Sequence, residues 1–258
     1  MSNTNTLKHY LQLLEVFTLR EIKSRYKASL LGPLWIILYP LLTAFILNFV
    51  FGTFINIKTE GVPYFIFVLS GLVVWNFFQQ GVELAKNALI WNRDLITKTS
   101  FPISTLPVAL VISKIPDFIV YLILLVIFYT FNGYQANLFW LIIIIVILPL
   151  FLLTTGVALL SSLSNAVFRD FGKIIEFAFM ILFYATPIIY PESLIPDRYK
   201  FILYLNPLAL FITFIRELIF NADLRPELFL YSLPISILTF LAGIYLFKRY
   251  HKKISDLI

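Results

Sequence analysis

Residues Leu138 to Leu163 read LFWLIIIIVILPLFLLTTGVALLSSL, a run of 26 residues without a charged side chain. The hydrocarbon core of a bilayer is about 30 Å thick, and an α-helix rising about 1.5 Å per residue needs about 20 apolar residues to cross it. The run is therefore long enough for a transmembrane helix. Soluble domains rarely contain uncharged apolar stretches of this length, so this run already predicts a membrane protein.

Five further apolar runs flank it, which makes six predicted transmembrane helices in all. The composition agrees, because 60% of the 258 residues are hydrophobic and only 13% are charged. An ordinary soluble globule is thereby excluded, and the predicted fold is an all-α polytopic membrane protein. The six predicted helices are approximately Leu34–Gly52, Val62–Val82, Leu106–Phe131, Leu138–Leu163, Ile174–Tyr184 and Leu228–Phe247.

The residue inventory excludes several kinds of chemistry. The chain has no cysteine, so disulfides, thiolate metal sites and cysteine nucleophiles are excluded. Its two histidines, His9 and His251, lie in the terminal polar segments, which argues against a paired-histidine metal site. No glycine-rich run ends in Gly-Lys-Ser or Gly-Lys-Thr, so the chain cannot bind ATP through a phosphate loop. We therefore expect no cofactor in this chain.

The positive charge of the chain is explained by membrane topology. The formal net charge is +6, but the 20 Lys and Arg residues are spread over short polar segments, so we expect no nucleic-acid partner. Alternate sides of the six predicted helices receive fifteen and five of these cations. Since Lys and Arg are enriched on the cytoplasmic side, both termini are predicted to be cytoplasmic, with the protein in the cytoplasmic (inner) membrane.

An amphipathic helix is predicted before the first transmembrane helix. Apolar residues within 7–27 fit one helical stripe, and Arg20, Lys23 and Lys27 share another face. We expect residues 1–30 to form a cytoplasmic interface helix and residues 31–258 to form the transmembrane domain. The helix acts either as a basic surface anchor or as a docking element for a cytoplasmic partner. The apolar stripe consists of Leu7, Leu11, Leu14, Ile22 and Tyr26.

The connection between predicted helices five and six, residues 186–227, is unusually apolar for an outer segment. Its stretch from Pro207 to Phe220 has 14 residues, about 21 Å of helix, which is too short to cross the core. Several prolines break the backbone before it. We therefore predict a re-entrant helical hairpin that acts as an outer gate, with Arg216 and Glu217 paired at its wet rim. A static interfacial anchor is the alternative.

Two charge pairs lie near the cytoplasmic ends of predicted helices. Lys114 and Asp117, and Lys173 and Glu176, are each three residues apart and hence neighbours on a helix. Mutual neutralisation with the side chains reaching toward the interface is favoured, and an ion or proton relay is the alternative. The loop from 83 to 104 is predicted to contain a short amphipathic helix. The alternative is that this loop is only a solvated linker.

Six short motifs in order resemble the permeases of ABC-2 class polysaccharide exporters. The resemblance spans nearly the whole chain and is closest to the membrane subunit of the O-antigen exporters, with capsule and teichoic acid exporters near. The motifs are REIKSRYKASLLGPLW at 20–35 followed by Tyr39-Pro40, FVLSGLVVWNFF at 67–78, Phe101-Pro102, FRD at 168–170, TPIIYP at 186–191, and Asn206-Pro207 with Arg216 downstream.

This resemblance implies a homodimer that forms a channel and works with two copies of a cytoplasmic ABC ATPase subunit. ATP and Mg²⁺ are then bound by that partner, and the cargo is a lipid-linked polysaccharide. It also implies two groups of functional residues. The candidates for coupling to the ATPase are Arg20, Arg25, Tyr26, Ile90, Arg93, Asp94, Lys98, Arg169 and Asp170. The candidates for the outer gate are Pro187, Tyr190, Pro191, Asn206, Pro207, Phe211, Ile215, Arg216 and Glu217.

Two other functions remain open on the sequence. An ABC-2 exporter of small lipophilic compounds has the same architecture with a different cargo. An intramembrane enzyme acting on lipid-linked sugars needs an acidic or metal-binding cluster at a membrane face, for which Glu192 and Asp197 are the loose candidates. Apart from this enzyme alternative, we expect the chain to be a transport subunit and not an enzyme.

Overall fold

The computed structural model describes residues 3–27, 31–59, 61–135, 140, 142–220 and 224–257. These residues form helices and turns without a β-strand, which confirms the all-α prediction. The α-helices are α1 (Asn3–Lys27), α2 (Gly32–Leu47), α3 (Tyr64–Lys86), α4 (Ala88–Trp91), α5 (Arg93–Lys98), α6 (Thr105–Ile112), α7 (Ile115–Phe131), α8 (Ile142–Val167), α9 (Phe171–Ala185), α10 (Phe201–Leu205), α11 (Pro207–Phe220) and α12 (Pro226–Leu257).

Within the described residues, five helical segments are long and apolar enough to cross a membrane. They coincide with five of the six predicted helices. In the first, a π-helix over Asn48–Phe54 continues α2, and in the third, α6 and α7 meet at Ser113 and Lys114. The five segments are Gly32–Phe54, Tyr64–Lys86, Thr105–Phe131, Ile142–Val167 and Pro226–Tyr250.

The remaining predicted transmembrane helix is α9, which has only 15 residues. The contacts of α9 and of the turn after it nevertheless reach both ends of α3. At one end the Lys86 ammonium donates to the Gly172 carbonyl at 3.5 Å, and at the other the Tyr64 hydroxyl donates to the Ile189 carbonyl at 2.5 Å. Helix α9 and the turn after it therefore run antiparallel along the 23-residue α3, and their crossing of a membrane stays a prediction.

Helix α3 is the centre of the fold. Most of its residues are buried, and it packs against α2, α6, α7, α8, α9 and α11. Its Trp75 indole makes edge contacts with the rings of Phe179 and Phe183 on α9. Helix α8 packs closely on α12. Helix α2 contrasts with α3, because it buries only Pro40 and Ala44 and leaves many of its large apolar side chains exposed.

Helix α1 packs along α6. Phe17 is buried there, and the Thr18 hydroxyl donates to the Ala109 carbonyl at 3.3 Å. Leu7 and Leu11 of the predicted stripe remain exposed. One face of α1 thus contacts the protein while another presents apolar side chains outward, and its position at a membrane interface stays a prediction.

Candidate functional site

The segment between α3 and α6 forms two short helices, α4 and α5, joined at Asn92, where one amphipathic helix was predicted. Leu89 and Ile96 are buried against the protein. Arg93, Asp94 and Lys98 are exposed, and Ile90 is half-buried. We call residues 87–98 the coupling segment. Its charged candidates are therefore available to a partner, while its apolar side anchors the segment to the fold.

Helix α1 is bonded directly to the coupling segment. The Arg20 guanidinium donates to the Asn92 side-chain oxygen at 2.7 Å, and the Asn92 amide donates to the Ala88 carbonyl at 2.8 Å. These hydrogen bonds link α1 directly to the joint between α4 and α5. The predicted coupling residue Arg20 and Asn92, which was not among the candidates, lie 72 positions apart in sequence and belong to one surface. The Tyr26 side chain, another candidate, lies outside the described residues.

Arg25 points elsewhere, into a charge cluster at the junction of α6 and α7. It donates to an Asp117 carboxylate oxygen at 3.0 Å and to the carbonyl and hydroxyl oxygens of Ser113 at 2.9 and 2.6 Å. Lys114 donates to the same Asp117 oxygen at 3.1 Å and to the Gln80 side chain at 3.1 Å. The predicted neutralisation of Lys114 by Asp117 is confirmed.

The predicted reach of this pair toward water is wrong, because Asp117 is only 4% exposed. The reason is Arg25, which supplies a second cation from α1, 92 residues away, and so helps to neutralise the carboxylate inside the protein through its Oδ2 atom. A charge placed under a helix that packs over it cannot snorkel. Sequence spacing finds partners three or four residues apart and could not identify Arg25.

Glu176 pairs with Lys86 of α3 rather than with its helix neighbour Lys173. The Lys86 ammonium, 3% exposed, lies 2.6 Å from carboxylate oxygens of both Glu176 and Glu83. Next to it the Asn165 amide donates to the Lys86 carbonyl at 3.1 Å and to the Asn87 side chain at 3.0 Å. The start of the coupling segment is therefore tied to α8 and α9 by pairings that spacing along the sequence did not predict.

Arg169 and Asp170 lie in the turn between α8 and α9, and both are exposed on the same side as the coupling segment's start. The Asp170 carbonyl accepts from the backbone N–H of Ile174 and so begins α9. The turn is close to the Asn165 contact just described. Except for Arg25, which is half-buried, and Tyr26, the structure thus places the coupling candidates at one end of the bundle, with their charged groups outward.

The outer segment, residues 186–227, is organised by Arg216 of α11. Its guanidinium donates to the carbonyl of Pro187, to those of Ile188 and Phe67 at 2.9 and 3.0 Å, and to the Ser70 hydroxyl at 3.2 Å. It also lies 3.5 Å from the centre of the Phe67 ring. Arg216 therefore fastens the backbone after α9 to α3.

The prediction that Arg216 and Glu217 pair at a wet rim is wrong. Each is only 7% exposed. Because Pro187 interrupts the helix, the carbonyls around it lack intrahelical N–H partners, and burial makes a donor necessary. Arg216 supplies that donor. Among the described residues, none places a carboxylate within 4 Å of its guanidinium.

Glu217 instead accepts hydrogen bonds from Arg225, at 2.6 Å from its side chain and 2.9 Å from its backbone N–H. Arg225 also donates to both oxygens of Glu192, at 2.7 and 3.2 Å. The hydrogen bond to Glu192 raises the pKa of the Arg225 guanidinium above its usual range. Asp197 pairs with Lys200 at 2.7 Å. Glu192 and Asp197 are thus each neutralised by a cation, and they do not form an acidic pair.

The other outer-gate candidates shape the backbone around this clamp. The Asn206 amide donates to the Thr186 hydroxyl at 2.8 Å, and its oxygen accepts from the Leu208 N–H at 3.1 Å, which caps α11. Tyr190 donates to the Tyr184 carbonyl at 2.9 Å. Phe211 and Ile215 are fully buried. The segments 197–205 and 207–220 meet at a bend of 104°, and the re-entrant position of this bend in a membrane stays a prediction.

An aromatic groove of about 330 Å³ lies between α2, α3 and α9. Tyr39, Trp75 and Tyr184 line it together with Asn76. The amide nitrogen of Asn76 is buried and has no hydrogen-bond partner. Flat rings beside a polar group are a surface that suits carbohydrate. No group of described residues could hold a metal ion.

Comparison with known proteins places these features in context. The sequence matches the protein family described as ABC-2 type transporter over residues 12–220. It is 30% identical over 253 residues to the O-antigen export system permease protein RfbA of Klebsiella pneumoniae, covering 98% of this chain and 97% of that protein.

Two further relatives are similar over most of their length. The chain is 30% identical over 250 residues to the O-antigen export system permease protein RfbA of Myxococcus xanthus, with 94% of this chain and 95% of that protein covered. It is 24% identical over 236 residues to the polysialic acid transport protein KpsM of Escherichia coli, with 91% and 92% covered.

Proposed function

The chain belongs to the ABC-2 type transporter family, and on that premise we propose that it is the permease subunit of an ATP-driven exporter of lipid-linked polysaccharide. It is a transport subunit rather than an enzyme. The observation that carries the proposal is the 30% identity to O-antigen export permeases over 98% of the chain. Similarity over that whole length includes the coupling segment, the bundle and the outer segment together.

The energy source must be a partner, because the chain has no phosphate loop. The partner is an ABC ATPase subunit that binds ATP and Mg²⁺ and docks on the coupling segment and α1. The exposed charges of Arg93, Asp94 and Lys98 supply orientation at this interface. The Arg20–Asn92 hydrogen bond supports the proposal, because it links the two docking elements into one unit.

The active transporter contains two copies of the chain and two of the ATPase. Helix α2 supports this stoichiometry, because apolar side chains such as Trp35, Leu42 and Phe45 are exposed along it. Exposed apolar surface of this extent needs lipid or a partner to cover it. The aromatic groove opens on the same face, at Tyr39 and Tyr184, so pairing of two copies across α2 and α9 would enclose a shared path for the polymer.

The orientation follows from the uneven distribution of cations, fifteen on one side and five on the other. Both termini and the coupling segment face the cytoplasm, and the outer segment faces the opposite side of the cytoplasmic membrane. Export therefore runs from the ATPase side past the aromatic groove to the segment held by Arg216. In the resting state this segment closes the exit.

Deletion of the gene in its native host tests this function. Surface polysaccharide should disappear while lipid-linked polymer accumulates inside the cell, and the wild-type chain should restore export. The matched control is the chain with Arg93→Glu and Asp94→Lys, which should reach the membrane without restoring export. Unchanged surface polysaccharide with increased sensitivity to small lipophilic compounds would refute the polysaccharide assignment and favour the other cargo.

A further inference from the structure

A cavity of about 740 Å³ lies beside the N-terminal half of α1 and shares no lining residue with the coupling segment, the outer segment or the aromatic groove. Its walls come from α1, α6, α8, α12 and the chain before α6. The volume is within the roughly 300–1,000 Å³ of pockets that bind small molecules. The walls are almost entirely apolar, with Val108, Phe151 and Ile244 among the lining side chains.

One polar side chain of this cavity is unsatisfied. Thr155 is 0% exposed, it lines the cavity, and its hydroxyl has no hydrogen-bond partner. Its neighbour Thr154, on the same helix, donates to the Leu150 carbonyl at 2.8 Å. A buried hydroxyl without a partner costs about 1–3 kcal/mol. The site is thus complete only when an acceptor from a bound molecule meets Thr155.

The mouth of the cavity carries positive charge. Lys248 and Tyr10 line it, and among the described residues that line the cavity none is acidic. Thr155 is next to Gly156, which lies against Gly243 of α12. Lys248 is five residues beyond Gly243 in the sequence, about 7.5 Å along the helix. The cation and the hydroxyl therefore lie at two depths of one apolar groove.

We infer that this groove binds one anionic glycerophospholipid per chain, with an acyl chain between α6, α8 and α12 and the phosphate at Lys248. The chemistry matches at three points. A long alkyl chain fits the apolar walls, an ester carbonyl just below the phosphate accepts from Thr155, and the phosphate is attracted by the lysine. The bound lipid packs against Leu7 and so braces α1 on the bundle.

Lipid selectivity of the purified full chain tests this inference. The delipidated protein in detergent is titrated with dioleoylphosphatidylglycerol or dioleoylphosphatidylcholine, and bound lipid is counted by native mass spectrometry. We expect one tightly bound phosphatidylglycerol per chain and a preference of about fivefold over phosphatidylcholine, since one Lys near a membrane surface contributes about that factor. Equal binding of the two lipids would contradict the charged mouth and overturn the inference.

Four variants, one of them a control, separate specific binding from the general lipid coat. Val108→Trp should fill the groove and abolish the tight site, while Ile127→Trp, on the exposed face of α7, should leave it intact. Lys248→Gln should remove the preference for phosphatidylglycerol. Thr155→Val, which keeps the side-chain volume nearly the same, should weaken the binding of both lipids. Gel filtration and melting temperature confirm that each variant is folded. Unchanged lipid binding by folded Thr155→Val and Lys248→Gln proteins would refute the site even if Val108→Trp does not fold.

Discussion

Replacing Gly156 with alanine should force α8 and α12 apart at their closest contact. A Cβ atom at Gly156 would lie 2.6 Å from both the carbonyl carbon and oxygen of Thr239 and 2.7 Å from the Phe240 nitrogen. All three are backbone atoms, so no side-chain rotation can relieve the overlap. The converse is also true, because a Cβ at Gly243 would lie 2.8 Å from the Gly156 carbonyl oxygen.

The size of the effect follows from these distances. Ordinary van der Waals contact begins near 3.4 Å, so the helices must separate by about 0.8 Å, the difference between 3.4 and 2.6 Å. A gap of this size forfeits a quarter to a half of the dispersion energy of each contact at the crossing. Overpacking of a close contact costs about 1–3 kcal/mol. Small residues at helix crossings in membranes permit this close backbone approach.

The measurement is the melting temperature of the purified protein in detergent. If the scaling of soluble proteins of this size holds, with about 2–4 °C for each kcal/mol, Gly156→Ala should lower it by roughly 2–12 °C. The matched control is Gly81→Ala on α3, where the nearest atom is the Thr154 side-chain methyl at 2.8 Å and the next is at 3.8 Å. The control thus has one close contact, to a side-chain atom, where Gly156 has three to backbone, so the control should lose less. Equal melting temperatures for the two variants would refute the backbone-contact argument.

The remaining predictions concern coupling, the outer clamp and topology. Reversing both charges in the coupling segment (Arg93→Glu with Asp94→Lys) should leave membrane levels normal and abolish ATPase stimulation, whereas full stimulation would mark the segment as a plain linker. Arg216→Lys should lower the melting temperature more than Arg198→Lys, because three guanidinium nitrogens share four acceptors and a lysine has one nitrogen in place of that planar fork; equal losses would contradict the clamp. A cysteine at Asp197 should react with an impermeant thiol reagent only from outside the cell, and labelling only from the cytoplasm would overturn the topology.

The membrane-crossing helices were predictable because bilayer thickness sets a length that a one-dimensional hydropathy pattern can meet. Thr105–Phe131 was identified despite Lys114 and Asp117 for this reason. Helix α9 was predicted as a further membrane-crossing helix, but with 15 residues it is not among the five helical segments of the described residues that are long enough to cross a membrane. Its antiparallel packing on α3, continued by the turn that reaches Ile189, depends on tertiary contacts that the hydropathy pattern does not contain.

The partners of buried charges were the part that sequence could not supply. Spacing along a helix identifies neighbours three or four residues away, but Asp117 takes Arg25 from 92 residues away and Lys86 takes Glu176 from 90. In both cases the partner comes from another helix. Such pairs depend on the order in which helices pack, and hydropathy carries no information about that order.

The burial of Arg216 shows where a signal was present but was assigned the wrong meaning. A cation inside the apolar stretch from Pro207 to Phe220 was interpreted as exposed, since unpaired charges are costly away from water. The connection that contains this stretch, residues 186–227, also contains Pro187, Pro191 and Pro196. Each of these prolines interrupts the helical pairing of nearby carbonyls. Buried carbonyls that have lost their helical N–H partners need another hydrogen-bond donor. A buried guanidinium, in turn, needs hydrogen-bond acceptors. Arg216 meets two such carbonyls, those of Pro187 and Ile188, and it also donates to the Phe67 carbonyl and the Ser70 hydroxyl of α3. Proline breaks and a single arginine in one apolar connection therefore predict a clamp between them, and the clamp fixes the outer segment against α3.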